Sequence, residues 1–286
     1  MIHAILRLKN MNGNSIIEWK ISKINISYCD NLYFSKGVLV AVCENKSHYL
    51  PFGATDTNEA LCHCKAISEM VERATWFSCY LASPNDYPNT IGFAAHSEIS
   101  KCIIESKLEA IERYLFRLLS NPIKIKKLLK MNFFNLITIN DSVIYLYLEI
   151  NLFKQKYYMV YKISILDINC EQGIIIGMGK SKDIDKAIEH SSFESNLIKK
   201  ALEKNHTKTD LNKMIFHDIQ ELRTIFKSKR IFQYIINHDY KKSSILDVSN
   251  IFVETTNVTQ CIPTVFLPLN RCVYFSKCIG GCFDKV

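Results

Sequence analysis

Two short segments constrain this chain more than any other part of it. Ser68-Glu69-Met70-Val71-Glu72-Arg73 and Leu108-Glu109-Ala110-Ile111-Glu112-Arg113 both read Glu-x-x-Glu-Arg, and Glu69 and Glu109 lie 40 residues apart. On a helix, positions i, i+3 and i+4 share a face. Each copy therefore presents two carboxylates and a guanidinium on one side. Ile67, Met70, Val71 and Phe77 in the first copy, and Leu108, Ile111, Leu115 and Phe116 in the second, supply an apolar stripe that packs inward. One such copy is ordinarily a solvated face whose Glu–Arg pair stabilises by a few tenths of a kcal/mol. A matched pair asks for more than surface decoration.

What precedes the copies repeats as well. Gly53-Ala54-Thr55 begins 16 residues before Glu69, and Gly92-Phe93-Ala94-Ala95-His96 begins 17 residues before Glu109. A third, degenerate copy runs from Gly177-Met178-Gly179 through Asp183 to Ala187 and reaches Phe193-Glu194, again 17 residues after its first glycine. In each, a small-residue turn is read as leading into a polar helix start: Thr57-Asn58-Glu59-Ala60, Ser97-Glu98 and Asp185-Lys186-Ala187. Self-similarity of this kind marks a repeated supersecondary unit. Three units of strand, glycine turn and helix can direct their helix faces around one site. Four convergent carboxylates, Glu69, Glu72, Glu109 and Glu112, would repel one another at low dielectric unless a hard cation lay between them. Mg²⁺ held by a few carboxylates and substrate phosphates suits such a set. Arg73 and Arg113 would then face phosphate oxygens or orient the carboxylates.

Taken together, these pieces resemble the YcaO-domain family, whose members use ATP to modify peptide backbone amides. The resemblance covers roughly Phe52 to Asn196, with matched order, spacing and glycine leaders. It rests on the first two blocks, and on Gly177-Met178-Gly179, Ala187-Ile188-Glu189 and Glu194 in the third. It implies an α+β, YcaO-like fold of three strand–turn–helix repeats with mixed or antiparallel sheets around a nucleotide site. It implies ATP and Mg²⁺ between the two Glu-x-x-Glu-Arg helices. Glu69, Glu72, Arg73, Glu105, Glu109, Glu112 and Arg113 are the implied nucleotide-binding residues, and Glu69, Glu72, Glu109 and Glu112 the metal ligands. The chemistry implied is phosphorylation of a carbonyl-derived oxygen. The product would be an azoline from Cys, Ser or Thr of a ribosomally made peptide of bacteriocin type, with a thioamide or an amidine as alternatives. Such a reaction requires no protein nucleophile, so no catalytic residue is assigned. A scaffold subunit that binds nucleotide without turning over is the competing reading, and a metal-dependent hydrolase a third.

The chain departs from the family pattern at several places. Phe52 stands where a lysine is usual, Lys65 where serine is frequent, Glu105 and Leu197 where glutamine is frequent. No proline follows Pro268, whereas azoline-forming relatives often carry a proline-rich tail. The resemblance also implies partners. These are a precursor peptide, a separate leader-peptide-binding protein related to ubiquitin-activating enzymes, and in some systems a flavin dehydrogenase. A homodimer is a further possibility.

Length and composition fit a soluble, globular chain, read as one YcaO-like domain over residues 1–286: N-terminal strands to 50, the repeats over 51–200, and a helix-and-strand portion from 201. The net charge of +8 is spread over scattered lysines, with short clusters at Lys124-Ile125-Lys126-Lys127 and Lys227-Ser228-Lys229-Arg230. Such runs read as solvated helix faces, so nucleic acid is not expected as a partner; no segment approaches the length of a membrane span, so no membrane is expected either. Met1 to Arg7 shows no signal-peptide pattern, and the eleven cysteines are then expected as reduced thiols in the cytoplasm. Cys62 and Cys64 point about 200° apart on a helix, and Cys272, Cys278 and Cys282 lack a CxxC pair, which argues against zinc. His96, at a helix start, is open between contact with phosphate or a substrate amide and binding to water alone; His63 reads as a core or edge residue. Ser68 and Thr55 are open between nucleotide contact and packing.

Local pattern gives the remaining elements. Asn12-Gly13 is a hairpin signal, Ser15 to Lys23 alternates, and Val38 to Val42 is a buried run. Pro84 to Asn89 is a loop. Helices are expected from Ser100 to Leu119, over Ile123 to Met131, and from Ile184 to Lys204. Val143 to Ile150 and Tyr157 to Leu166 read as paired strands. Thr207 to Asn212 reads as loop, Phe216 to Phe226 and Ile231 to Ile236 as helix, and Ile251 to Val253 and Val265 to Leu267 as strands.

Overall fold

The alternating N-terminal sequence becomes strand. A computed structural model describes residues 17–29, 31–121, 123–168, 171–204, 229–240, 243–247 and 251–281. The Asn12-Gly13 hairpin, Thr207 to Asn212, Phe216 to Phe226 and Cys282 lie outside these residues. Helices combine with mainly antiparallel sheets, and the chain divides into two compact units: Met1–Ala110 with Val253–Lys277, and Ile111–Phe252 with Cys278–Val286. Among the described residues, no helix is long and apolar enough to cross a membrane.

In the first unit, β3 (Leu32–Cys43) is the central strand of a four-stranded sheet. One edge pairs with β4 (Lys46–Asp56) along its length; the other takes β1 (Glu18–Ile21) and then β2 (Asn25–Cys29). Ser22 bridges the break between β1 and β2. Its N–H donates to the Val38 carbonyl at 2.9 Å, and its hydroxyl accepts from the Val38 N–H at 2.7 Å. Glu44 and Asn45, both at positive φ, form the two-residue turn that joins β3 to β4. Helix α1 (Glu59–Ala82) begins at Asn58, whose side chain accepts from the Leu61 N–H at 3.0 Å. Its buried face, including Ala66, Met70, Val71, Ala74 and Phe77, packs on β3 and β4. Trp19 is fully buried there, with Phe77 and Phe266 edge-on to its ring at 5.9 and 6.0 Å.

A three-stranded sheet completes this unit. β5 (Phe93–His96) and β11 (Ile251–Asn257) flank β12 (Cys272–Gly281), with Phe93 opposite Phe275 and His96 opposite Cys272. Gly92 enters β5 at φ 82°, and a Cβ there would sit 1.9 Å from the Ser276 carbonyl oxygen. Helix α2 (Ile99–Leu119) then carries the second Glu-x-x-Glu-Arg copy. The expected strand at Val265 to Leu267 is instead part of a 3₁₀ turn, Thr264–Leu269. Pro263 precedes it, Pro268 lies within it, and Asn270 ends it in the left-handed region, a sequence that cannot offer a continuous ladder of N–H donors.

The second unit is built on a five-stranded sheet. β7 (Val143–Leu152) and β8 (Gln155–Ile168) pair through a tight turn at Phe153 and Lys154, so both strands run closer to the turn than the loop expected from Asn151 to Lys156. β8 continues to β9 (Glu171–Ser181), while β6 (Phe134–Asn140) and the short β10 (Leu246–Asp247) line the far edge of β7. The short helix α3 (Lys124–Leu129) and helix α5 (Lys229–Ile236) occur where the apolar spacing placed them. Helix α4 (Ile184–Lys204) packs on β8 and β9.

The glycine leaders are corrected here. Gly53, Gly177 and Gly179 are not turn residues but lie inside β4 and β9. Space dictates them. A Cβ on Gly177 would meet the Ser191 oxygen at 2.1 Å and the Ser195 nitrogen at 2.5 Å; one on Gly179 would meet the Ala187 oxygen at 2.1 Å. On Gly53 the close atom is the Ser35 oxygen, at 2.8 Å. These strands are approached too closely for any side chain.

Candidate functional site

In the first unit, the acidic face of α1 reaches two edge strands. Glu69 accepts from the Gly53 N–H of β4 at 2.9 Å, and Glu72 from the Ala95 N–H of β5 at 2.8 Å. Both strands are at sheet edges among the described residues, so the carboxylates take up N–H groups that no neighbouring strand pairs. Arg73 fixes the arrangement: it donates to Glu69 at 3.1 Å and to the Thr90 hydroxyl at 2.6 Å. The apolar stripe behind these residues is buried as its spacing required, with Met70, Val71 and Phe77 inside and Ile67 partly so.

Glu109 of α2 comes close enough to matter electrostatically. Desolvation pushes the Glu72 carboxyl well above the ordinary carboxylate range, and the negative charges of Glu109 and then Glu69 push it further. The Ala95 N–H and the Arg73 guanidinium act in the opposite sense without cancelling this. Three carboxyls from two helices thus crowd one region, and the cost falls on Glu72. Glu105, one turn before Glu109, is exposed, and its charge is felt by His96.

The second unit holds the end of the second copy. Glu112 is buried, with the Lys180 ammonium of β9 at 3.8 Å from its carboxylate. The Tyr161 hydroxyl donates to the Glu112 backbone carbonyl at 3.0 Å. Burial, and next the charge of Glu112, holds that phenol well above its usual range. Arg113 pairs with Glu194 of α4 at 3.6 Å, and Glu194 also accepts from the Met178 N–H of β9, another edge strand. Glu69 and Glu194 therefore make the same kind of bond at the same separation, 16 residues after the strand N–H they receive. Sequence reasoning did not select Thr90, Tyr161 or Lys180. Lys180 directly follows Gly179 and was open to notice; the other two lie in segments with no motif of their own.

The departures from the family pattern have structural causes. Phe52 is buried in the first core, its ring against Gly37, where an ammonium would be stranded. Lys65 pairs with Asp56 at 2.7 Å. The Leu197 side chain lies outside the described set. The His96 Nδ1 accepts from the Glu98 N–H at 2.9 Å, so this histidine caps the start of α2. Desolvation, then Lys101, lowers its pKa. The His63 Nδ1 is buried without a hydrogen-bond partner. Among the described residues, no three His, Cys, Asp or Glu side chains gather tightly enough to hold a metal ion by themselves. The donor set at Glu69, Glu72 and Glu109 is nonetheless all hard oxygen, and the repulsion that raises Glu72 is what a hard cation would relieve. Such a site fits a Mg²⁺ ion that takes most of its ligands from water and phosphate.

No protein-family model matches the sequence, and no curated protein matches it. Among solved structures, a YcaO from Methanopyrus kandleri, bound with AMPPCP and Mg²⁺, is similar at a TM-score of 0.48 and 11% identity, over 90% of this chain and 85% of that chain. A likeness that slight carries neither fold nor activity across.

Proposed function

We propose that the chain is an ATP- and Mg²⁺-dependent enzyme of YcaO type that activates a backbone amide of a peptide. The crowding of Glu69, Glu72 and Glu109 on α1 and α2 carries this reading. Three acidic groups are held together at a cost that a bound cation would remove. The twin Glu-x-x-Glu-Arg segments, and the shared bond from Glu69 to Gly53 and from Glu194 to Met178, support a repeated strand–helix design behind it.

In this reading Glu69, Glu72, Glu109 and Glu112 hold Mg²⁺, and Glu105, Arg73 and Arg113 support the nucleotide. ATP, when bound, supplies the phosphoryl group that turns a carbonyl-derived oxygen into a leaving group. The chain's own task is positioning and charge neutralisation, and it needs no nucleophile of its own. Arg73, bonded to both Glu69 and Thr90, keeps the first carboxylate in place. Lys180 and Arg113 balance Glu112 and Glu194. The substrate is a ribosomally made precursor peptide. Cys, Ser or Thr would be cyclodehydrated to azolines, with thioamide or amidine formation following if the nucleophile is sulfide or an amine. A separate protein related to ubiquitin-activating enzymes presents the peptide, with a flavin dehydrogenase where the azoline is oxidised.

Two observations favour a second reading. Glu69, Glu72 and Glu194 are already bonded to strand N–H groups, and the usual lysine position is the buried Phe52. A scaffold subunit that no longer turns over would keep the same bonds for structure. Peptide-dependent release of ADP and phosphate from Mg-ATP, with loss of water from the peptide by mass spectrometry, separates the two. The enzyme reading expects both signals and their loss in Glu112→Gln; full activity in that variant would contradict it.

A further inference from the structure

In the first unit, β2 is a sheet edge without the usual guards. It pairs with β3 on one side only, from Asn25 opposite Lys36 to Cys29 opposite Leu32. A bare row of N–H and C=O groups templates another strand, so native edges carry charge, proline, a bulge or a covering element. Three other edges of this chain have part of their row taken up. Glu69 accepts the Gly53 N–H of β4, Glu72 the Ala95 N–H of β5, and Glu194 the Met178 N–H of β9. β2 reads Asn-Ile-Ser-Tyr-Cys, with no charge and no proline, and its register with β3 is unbroken. Among the described residues, no side chain is bonded to its backbone N–H groups.

The side chains of β2 divide between two faces. Ile26 and Tyr28 share a face with their partners Ser35 and Tyr33, and so with the buried Leu39 and Ala41. This is the face on which α1 packs, over β4 and β3. Ile26 and Tyr28 nonetheless stay 40% and 60% exposed. The Tyr28 ring lies 4.8 Å from that of Tyr33, and its hydroxyl donates to the Asn31 side chain at 3.3 Å. On the other face Asn25 stands opposite Lys36. Lys36, and Lys23 just before the strand, are exposed, and among the described residues neither pairs with a carboxylate.

We propose that β2 docks an extended peptide segment of a partner by strand addition. The segment carries apolar residues at alternate positions, which lie over Ile26 and Tyr28. Carboxylates between them face Lys36 and Lys23. Backbone bonds supply the affinity, and the alternation supplies the specificity. Five residues of edge span about 17 Å, room for a five-residue match. A second copy of this chain is less suited, because its own β2 brings lysines and no carboxylate to Lys36 and Lys23. Such docking needs neither nucleotide nor the carboxylates of α1 and α2.

The test uses the full chain, without nucleotide, and a fluorescein-labelled peptide, Ser-Gly-Val-Glu-Val-Glu-Val-Gly-Ser. Saturable binding is expected by fluorescence anisotropy. It should weaken about tenfold or more when lysine replaces both glutamates, and likewise when the three valines are made adjacent. On the unmutated chain, the peptide should slow hydrogen exchange at the β2 amides and not at those of β4 or β5. Ile26→Lys/Tyr28→Lys puts charge on the bare edge at exposed positions; it should keep the parent Tm and lose binding about tenfold or more. Failure of the glutamate peptide to bind, equal binding of the lysine peptide, protection away from β2, or unchanged binding in the folded double variant would overturn the proposal. So would β2 protection that rises with protein concentration in the free chain together with a doubled mass in sedimentation, which would assign the edge to a second copy.

Discussion

At the scale of single residues, the chain's glutamates do two things at once. Glu69, Glu72 and Glu194 each satisfy the N–H of an edge strand, and Glu109 and Glu69 also crowd Glu72. The spacing of Glu-x-x-Glu-Arg placed Glu69 and Glu72 on one helix face, and that much was legible in sequence. The glutamates' partners were not, because Gly53, Ala95 and Met178 offer backbone groups that no motif advertises. The crowding has a pH signature. Glu72 keeps its proton to higher pH in the folded state than in the unfolded one. Its favourable share of stability is therefore fully present below the ordinary glutamate pKa and is lost as pH rises through the folded value. Without a bound cation, Glu72→Gln should thus raise Tm at about pH 7.5, and the gain should vanish below about pH 4. Thermal unfolding of both proteins across pH, in the presence of a chelator, checks this. A variant less stable than the parent at neutral pH would show that the Ala95 bond outweighs the repulsion.

At the scale of elements, close packing decides where glycine stands. Read as turns, Gly53, Gly177 and Gly179 suggested leaders; inside β4 and β9 they are contact points. Sequence alone cannot distinguish these uses, since both want a residue without a Cβ. Gly177→Ala should cost about 3 kcal/mol, because the new methyl meets backbone atoms of α4 and not a flexible side chain end. Urea unfolding measures it; a loss under about 0.5 kcal/mol would mean that α4 shifts freely on the sheet. Helix boundaries were easier. Asn58 marked the start of α1 by its type and position, and Asn58→Ala should cost about 1 kcal/mol through the lost bond to Leu61. The hairpin turns were hidden because Glu44-Asn45 and Phe153-Lys154 take positive φ with no glycine, so β4 and the ends of β7 and β8 lacked their usual signal.

At the scale of the whole molecule, the chain passes from the first unit to the second within α2, and each unit gathers segments distant in sequence. The first is a sheet backed by α1 with three strands contributed late and early in the chain. The second is a sheet carrying α4, whose Glu194 pairs with Arg113 of α2. Regular apolar spacing made the long helices readable, but β12 returning to pair with β5 is a contact between residues too far apart for local pattern to reveal. A ligand held by the native chain alone stabilises it by mass action, about 2.7 kcal/mol at a hundredfold excess over Kd. Mg-ATP should therefore raise Tm, and ATP with chelator should not. The most direct measurement is calorimetric titration of Mg-ATP into the wild-type chain and into Glu109→Gln/Glu112→Gln, with the fold of each checked by thermal unfolding. Saturable, Mg²⁺-dependent binding to the wild type, lost in the folded double variant, is the predicted result. Absence of binding in the wild type, or equal binding in both, would contradict the nucleotide site.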